Sequence, residues 1–299
     1  RFWGKYRAGE ISDAKINEIE GKLATTAGTC AVMGTASSMA CITEVLGMSL
    51  PGSAAIPAVH ADRLRLAEAC GERAMEMAVS GAPLPHEIIT SKSVENALRV
   101  LLAISGSTNA VVHLAAIAGR RGIDLPLEHI NRISDETPVL VNLKPTGEHY
   151  MQDLFGAGGL TAVLHELKHQ LHLDCLTVTG ETLGQWLSET PKWVDRKVVR
   201  AFDDPYQKEG GLIALFGTLA PTGAILKRAA ADSNLFERTG RAVVFDSLED
   251  LSKRIDSEDL DVSEDDFLVL KNAGPKSETC MPEAGYLPIP KKLAARGVK

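Results

Sequence analysis

The sequence predicts an α/β protein of two domains: a layered, mostly parallel sheet with helices over residues 1–204, then a β-rich domain over 205–299. Three observations carry this reading. Short apolar runs alternate with segments of helical periodicity as far as about Trp193, as expected for helices packed on a largely parallel sheet. Asp203-Asp204-Pro205 and Glu209-Gly210-Gly211 then bracket a linker-like stretch. Beyond it, short strand-like runs dominate.

Taken in order, Ser12 is placed to cap a helix whose apolar face is Ile16, Ile19 and Leu23. A second helical pattern begins at Met39, runs through Leu46 and stops at Gly47, the residue type that most readily ends a helix. Leu50 to Pro57 is a loop. His60 to Val79 is a long helix with Leu64, Ala67, Met75 and Ala78 on its apolar face. After a Gly/Pro break at 81–85, helices are expected at about 93–104 and 110–118, the latter opened by Ser105-Gly106-Ser107-Thr108-Asn109. Pro138 to Leu143 and Leu176 to Val178 read as buried strands, separated by a polar turn, Lys144 to Tyr150, and a helix introduced by Gly158-Gly159. Thr182 to Leu187 is a short helix. In the second domain, strands are expected at 212–216, 224–226, 242–245 and 267–270, with a capped helix from Ser247 to Ile255.

The 299 residues are 44% hydrophobic and 24% charged, ordinary for a globular protein with a large core. A net charge of −7 provides no electrostatic footprint for nucleic acid. No apolar run is long enough to span a bilayer. Arg1-Phe2-Trp3-Gly4-Lys5 is neither a signal peptide nor a start methionine, so the sequence is expected to begin inside a longer chain. The five cysteines are scattered, odd in number and show no C-x-x-C pair. They argue against a disulfide framework and fit a reducing cytoplasm. Cys41, Cys70 and Cys175 are expected in the core, and His113 is read as a core histidine.

The stretch with most chemistry is Gly28-Thr29-Cys30-Ala31-Val32-Met33-Gly34-Thr35-Ala36-Ser37-Ser38-Met39. It places a thiol and several hydroxyls at the N-terminal end of a helix, where unpaired N–H groups and the dipole favour negative charge. A thiolate there is more acidic and a better metal ligand than a structural cysteine. Local features leave a second reading open, a buried inert cysteine beside a helix cap.

Longer motifs narrow the choice. GTCAVMGTASSMACITEVLGMSLPGSAAIPA resembles the third cluster-ligand motif of the dihydroxy-acid dehydratase/phosphogluconate dehydratase family. SGSTNAVVHLAAIAGRRGIDL, LKPTGEHYMQDLFGAGGL, VLKNAGPKSETCMPEAG and LPIPKKL are similar to further segments of that family, in the same order. The resemblance implies that the first domain lacks its N-terminal part and that the second is the opening part of a β-barrel-like domain. It implies an iron–sulfur cluster, 2Fe-2S rather than 4Fe-4S, with Cys30 as the last of three cysteine ligands. It also implies Mg²⁺, with Glu283 as one carboxylate ligand. Thiolates suit iron–sulfur clusters and hard oxygen ligands suit Mg²⁺. The family's other ligands fall before Arg1 and its catalytic serine beyond Lys299, so no catalytic residue is assigned within this chain. Cys280 has no family role.

The implied reaction is removal of water from a hydroxy acid to give a 2-keto-3-deoxy acid, with cluster and Mg²⁺ as Lewis acids. Thr35, Ser37, Ser38, Ser107, Thr108, Asn109 and His149 are candidate substrate-binding residues; each also reads as a helix cap or turn residue. Their hydroxyl-rich turns point to the sugar-acid branch, acting on pentonates or hexonates. The alternatives are dihydroxy-acid dehydratase of branched-chain amino-acid synthesis and an inactive fragment of the family. The expected partners are a small hydroxy acid and further copies of the chain, as a dimer or tetramer. No P-loop or dinucleotide fingerprint is present.

Overall fold

The computed structural model describes residues 2–23, 27–277 and 286–298. In chain order the helices begin with α1 (Phe2–Arg7), α2 (Asp13–Glu20), α3 (Thr35–Val45), α4 (Ala61–Ser80) and α5 (Pro85–Ile88). They continue with α6 (Ser91–Ala103), α7 (Asn109–Arg120), α8 (Leu127–Glu136), α9 (Met151–Gly156), α10 (Gly159–Leu167) and α11 (Leu183–Glu189). Strands β1 (Ile213–Leu215), β2 (Ala224–Leu226) and β3 (Ala242–Phe245) follow, then α12 (Leu248–Arg254), β4 (Phe267–Leu270) and α13 (Lys291–Ala294). The chain forms two compact units, one of residues 27–231 and one joining the N-terminal segment to residues from 232 onward.

The 27–231 unit is built around α6. Val94, Ala97, Leu98, Val100, Leu101, Leu102 and Ala103 are all buried, so this helix is apolar on nearly every side and packs against α3, α7, α8 and α10. Thr90 starts it through a reciprocal cap: its hydroxyl accepts from the Ser93 N–H and the Ser93 hydroxyl accepts from the Thr90 N–H. The polar residues that α6 buries make specific bonds, although Arg99 Nε has no partner among the described residues. Asn96 bonds the main chain of His172 twice, and Arg99 is held between Glu95 (3.2 Å) and Glu136 (3.1 Å). Each large side chain buried here contributes roughly 1.5–3 kcal/mol.

The predicted strand at 138–143 is extended and buried, yet it forms isolated bridges instead of a ladder. Val139 bridges Gln207, Val141 bridges Val199, and the Leu140 N–H donates to the Ala103 carbonyl at the end of α6. Each residue finds a different partner segment, so the apolar run is buried without a neighbour long enough to extend pairing. Residues 176–178 likewise make one bridge, Leu176 to Thr182. Residues 205–231 pack within this same unit: β1 lies against α8 and pairs antiparallel with β2, Ile213 opposite Leu226.

α4 differs from expectation in the face it packs. Leu64 and Met75 are 77% and 65% exposed, and the half-buried stripe is Arg63, Leu66, Ala69, Arg73 and Met77. Periodicity defines two faces without saying which one docks; here the arginines decide it. Arg63 and Arg73 lay their stems on the protein and donate to the carbonyls of Ile56 and Val178. Cys70, expected in the core, is exposed on this helix, whereas Cys41 and Cys175 are buried, and His113 is half-buried.

In the other unit, β3 and β4 pair in parallel, Ala242 opposite Phe267, with α12 in the crossover that parallel pairing requires. Ser247 caps α12 as expected, accepting from the Asp250 N–H at 3.2 Å. Val243, Phe245, Leu251, Ile255 and Leu260 form a small core beneath the pair. Arg7 of α1 forks onto Asp256. The protein is thus mixed α and β, but among the described residues no sheet exceeds two strands and no barrel closes.

Candidate functional site

Of the residues singled out in the sequence, Cys30, Thr35, Ser37, Ser38, Ser107 and Asn109 come together at the N-terminal end of α3. Gly34 is its N-cap and no side chain caps it. Cys30 lies exposed in the loop just before, and the Ser37 hydroxyl reaches back to the carbonyls of Val32 (3.0 Å) and Cys30 (3.4 Å). The thiol is therefore presented to solvent at the positive end of a helix by main chain that the helix itself holds. Of the two readings open at the outset, the buried inert cysteine does not describe it.

The loop opening α7 meets this end of α3. Thr35 Oγ1 and Ser107 Oγ are 2.9 Å apart, Asn109 Nδ2 donates to Thr35 Oγ1 at 3.2 Å, and the Ser107 N–H donates to Ser38 Oγ at 2.9 Å. The approach is close because residue 106 is glycine: a Cβ there would lie 2.4 Å from Leu101 and 2.9 Å from the Ser38 hydroxyl. Thr35, Ser38, Ser107 and Asn109 thus form one linked cluster. Thr108 stands at the start of α7 without capping it through its side chain. Within this region, Asn109 Oδ1 and Ser105 Oγ are buried without a partner among the described residues. A buried acceptor left in that state calls for a donor from water or ligand.

The Lys144–Tyr150 turn closes on the cysteine loop from another side. The Met33 N–H donates to the Lys144 carbonyl and the Met151 N–H to the Ala31 carbonyl, both at 2.8 Å. His149 lies in this turn, half-buried, with its ring nitrogen 3.8 Å from Asp153. Gly28 completes the surroundings; it has φ +134°, and a Cβ would come within 2.9 Å of the Ala58 Cβ.

Sequence reasoning missed Glu44. It is almost fully buried on α3, accepts from the N–H groups of Gly52 (2.9 Å) and Ala54 (2.6 Å), and lies 3.2 Å from the Ser53 hydroxyl. Burial pushes its carboxyl pKa up, and these donors pull it back in part. The carboxylate ties the 50–57 loop, which leads to Ala58 and so to Gly28, onto the helix that presents Cys30. A lone acidic residue inside the apolar Met39–Leu46 run was the available signal.

Cys30 offers one soft, exposed thiol, the right donor for iron but one ligand only, and the described residues include no group of three His, Cys, Asp or Glu that could hold a metal ion. Glu283 lies outside the described residues, as does Cys280. The described donor set thus supplies one ligand suited to iron and does not complete a site.

A hydroxyl-lined helix end beside an exposed cysteine leaves the class of protein open. Comparison with known proteins closes it. Residues 1–186 match the family model described as dihydroxy-acid/6-phosphogluconate dehydratase N-terminal, and residues 197–299 match the corresponding C-terminal model. The chain belongs to the dihydroxy-acid/6-phosphogluconate dehydratase family. Its relatives include a 6-deoxy-6-sulfo-D-gluconate dehydratase of Pseudomonas putida, 40% identical, and an L-arabinonate dehydratase of Rhizobium leguminosarum bv. trifolii, 42% identical. Each alignment covers 100% of this chain and 52% of the relative. A dihydroxy-acid dehydratase of Caldanaerobacter subterraneus subsp. tengcongensis is also 42% identical, over 94% of this chain and 50% of its own length. The chain thus spans about half the length of the curated relatives it matches. No helix among the described residues is long and apolar enough to cross a membrane.

Proposed function

We propose that the protein containing this chain is a hydro-lyase that dehydrates a sugar acid, a pentonate or hexonate, to a 2-keto-3-deoxy acid. The observation that carries the substrate class is the linked cluster of Thr35, Ser38, Ser107 and Asn109 beside an exposed Cys30. A polyol needs several donors and acceptors at fixed spacing, and a cluster already bonded to itself offers them with little ordering cost. The reaction removes the proton on the carbon next to the carboxylate and the hydroxyl on the following carbon; the resulting enol becomes the ketone. An iron–sulfur cluster and Mg²⁺ would supply Lewis acidity to the leaving hydroxyl and the developing enolate. The chain's own contribution is to present Cys30 at the end of α3 and to orient the substrate hydroxyls through Thr35, Ser107 and Asn109. The uncapped helix end favours the negative charge that develops during proton removal.

A second reading has a specific observation behind it: a dihydroxy-acid dehydratase is as similar, at 42% identity, as the arabinonate enzyme. The two are separated by assaying the full-length gene product, purified without oxygen, with C5 and C6 aldonates and with 2,3-dihydroxy-3-methylbutanoate. Product 2-keto acid is measured as its semicarbazone. The proposal expects higher kcat/KM for an aldonate. Turnover of the branched dihydroxy acid alone would favour the second reading, and turnover of neither would reject both.

A further inference from the structure

The Lys144–Tyr150 turn carries a feature that the dehydration reading does not use. Lys144 Nζ donates to the Tyr150 phenol oxygen at 3.0 Å and lies 4.4 Å from the centroid of the same ring. Among the described residues, no carboxylate lies within 4.0 Å of this ammonium. The nearby acids are otherwise engaged or turned outward. Asp153 accepts from the Tyr150 N–H at 2.8 Å and faces His149, while Glu148 is exposed on the turn. The ammonium keeps two N–H groups and the phenol its O–H, so the pair presents donors on two atoms about one hydrogen bond apart. Donors that close can both reach the oxygens of one carboxylate, phosphate or sulfonate.

The pair is also fixed in place. Asn142 Oδ1 accepts from the Glu148 N–H, and a Cβ at Gly147 would lie 2.4 Å from that oxygen, so the turn closes tightly on Asn142. Lys144 at one end accepts from the Met33 N–H, and Met151, just past the other end, donates to the Ala31 carbonyl, so the turn is bonded to the loop following Cys30. The Lys144 main chain is thereby held against Met33, one residue before the N-cap of α3. Among the described residues this ammonium has no carboxylate partner, and the α3 end to which its turn is bonded has no side-chain cap; both favour an anion.

We propose that Lys144 and Tyr150 together form an oxyanion-binding subsite of the Cys30 site, specific for the anionic group of a hydroxy-acid substrate. This rests on the dehydratase reading and deepens it. The anion is either the carboxylate common to all such acids or a phosphate or sulfonate at the far end of the chain.

The test uses the full-length gene product with gluconate and 6-phosphogluconate as probes, comparing wild type with Lys144→Met, Lys144→Arg and Tyr150→Phe. Lys144→Met should raise KM by ten- to a hundredfold with a smaller change in kcat. Lys144→Arg should restore most of the loss, and Tyr150→Phe, which keeps the ring and removes one donor, should raise KM by three- to tenfold. An effect of Lys144→Met on both probes identifies the carboxylate, and an effect confined to 6-phosphogluconate identifies the distal anion. Calorimetric titration of both probes runs in parallel. If wild type turns over neither but binds one with an affinity that Lys144→Met weakens tenfold, the subsite stands and the dehydration reading falls. KM and Kd within twofold of wild type in Lys144→Met, for both probes, would overturn the subsite.

Discussion

Replacing Glu44 by alanine tests how the 50–57 loop is held on α3. The substitution removes the acceptor of the Gly52 and Ala54 N–H groups. A buried donor left unpaired costs about 1–3 kcal/mol, and one that water can reach costs much less. Gly52 is exposed and Ala54 half-buried, so most of the loss comes from Ala54, with Ser53 keeping the Ser49 hydroxyl at 3.0 Å as a partner. The expected destabilisation is about 2–3 kcal/mol. At roughly 2–4 °C per kcal/mol for a unit of this size, Tm should fall by about 5–10 °C. Glu44→Gln can turn its amide nitrogen towards solvent-facing Gly52 and keep the Ala54 bond, so it should cost about 1 kcal/mol. Urea unfolding of the three proteins, read by far-UV circular dichroism, gives the ranking. A Glu44→Ala variant within 0.5 kcal/mol of wild type, or a Glu44→Gln variant as unstable as Glu44→Ala, would refute the reasoning.

Two further outcomes follow from the same structure. Gly28→Ala introduces a side chain at φ +134° and a 2.9 Å contact with Ala58, so stability should drop by about 1–3 kcal/mol in urea unfolding. Adding Ala58→Gly should recover only part of it, since the backbone conformation stays strained; full recovery would locate the whole cost in the contact. The His165 pKa is held below its ordinary 6.5, first by burial and then by Lys192 and Lys168. A depressed folded pKa means that stability from this group is present above 6.5 and lost as pH falls through the folded value. Wild type should therefore weaken between pH 7 and pH 5, and His165→Asn should flatten part of that slope; an unchanged slope would show that other groups carry it, His129 being the next to examine.

Much of the architecture was legible because caps and stops are local. Ser12, Thr182 and Ser247 each accept a main-chain N–H three residues on, Gly47 follows the end of α3 with φ +86°, and the four strands of residues 212–270 lie within a residue or two of their predicted spans. What was not legible depends on partners. Whether Val139 to Leu143 becomes a ladder depends on segments some 60 residues away, which meet it one residue at a time. The docking face of α4 was set by arginine tips finding distant carbonyls, a contact that hydrophobic periodicity does not register. At the candidate site, the small-polar helix openings announced the Thr35–Ser107–Asn109 cluster. Glu44 and the Lys144–Tyr150 clamp needed the tertiary contact to be seen.

The most direct test of the central reading is made on the full-length gene product purified without oxygen, comparing wild type with Cys30→Ala for iron content and for aldonate dehydration. Cys30 lies exposed at the end of α3, so its removal should leave the fold intact by circular dichroism. The reading predicts that wild type carries iron and converts an aldonate to a 2-keto-3-deoxy acid, and that Cys30→Ala loses both together. A Cys30→Ala protein that retains wild-type iron and turnover would contradict it.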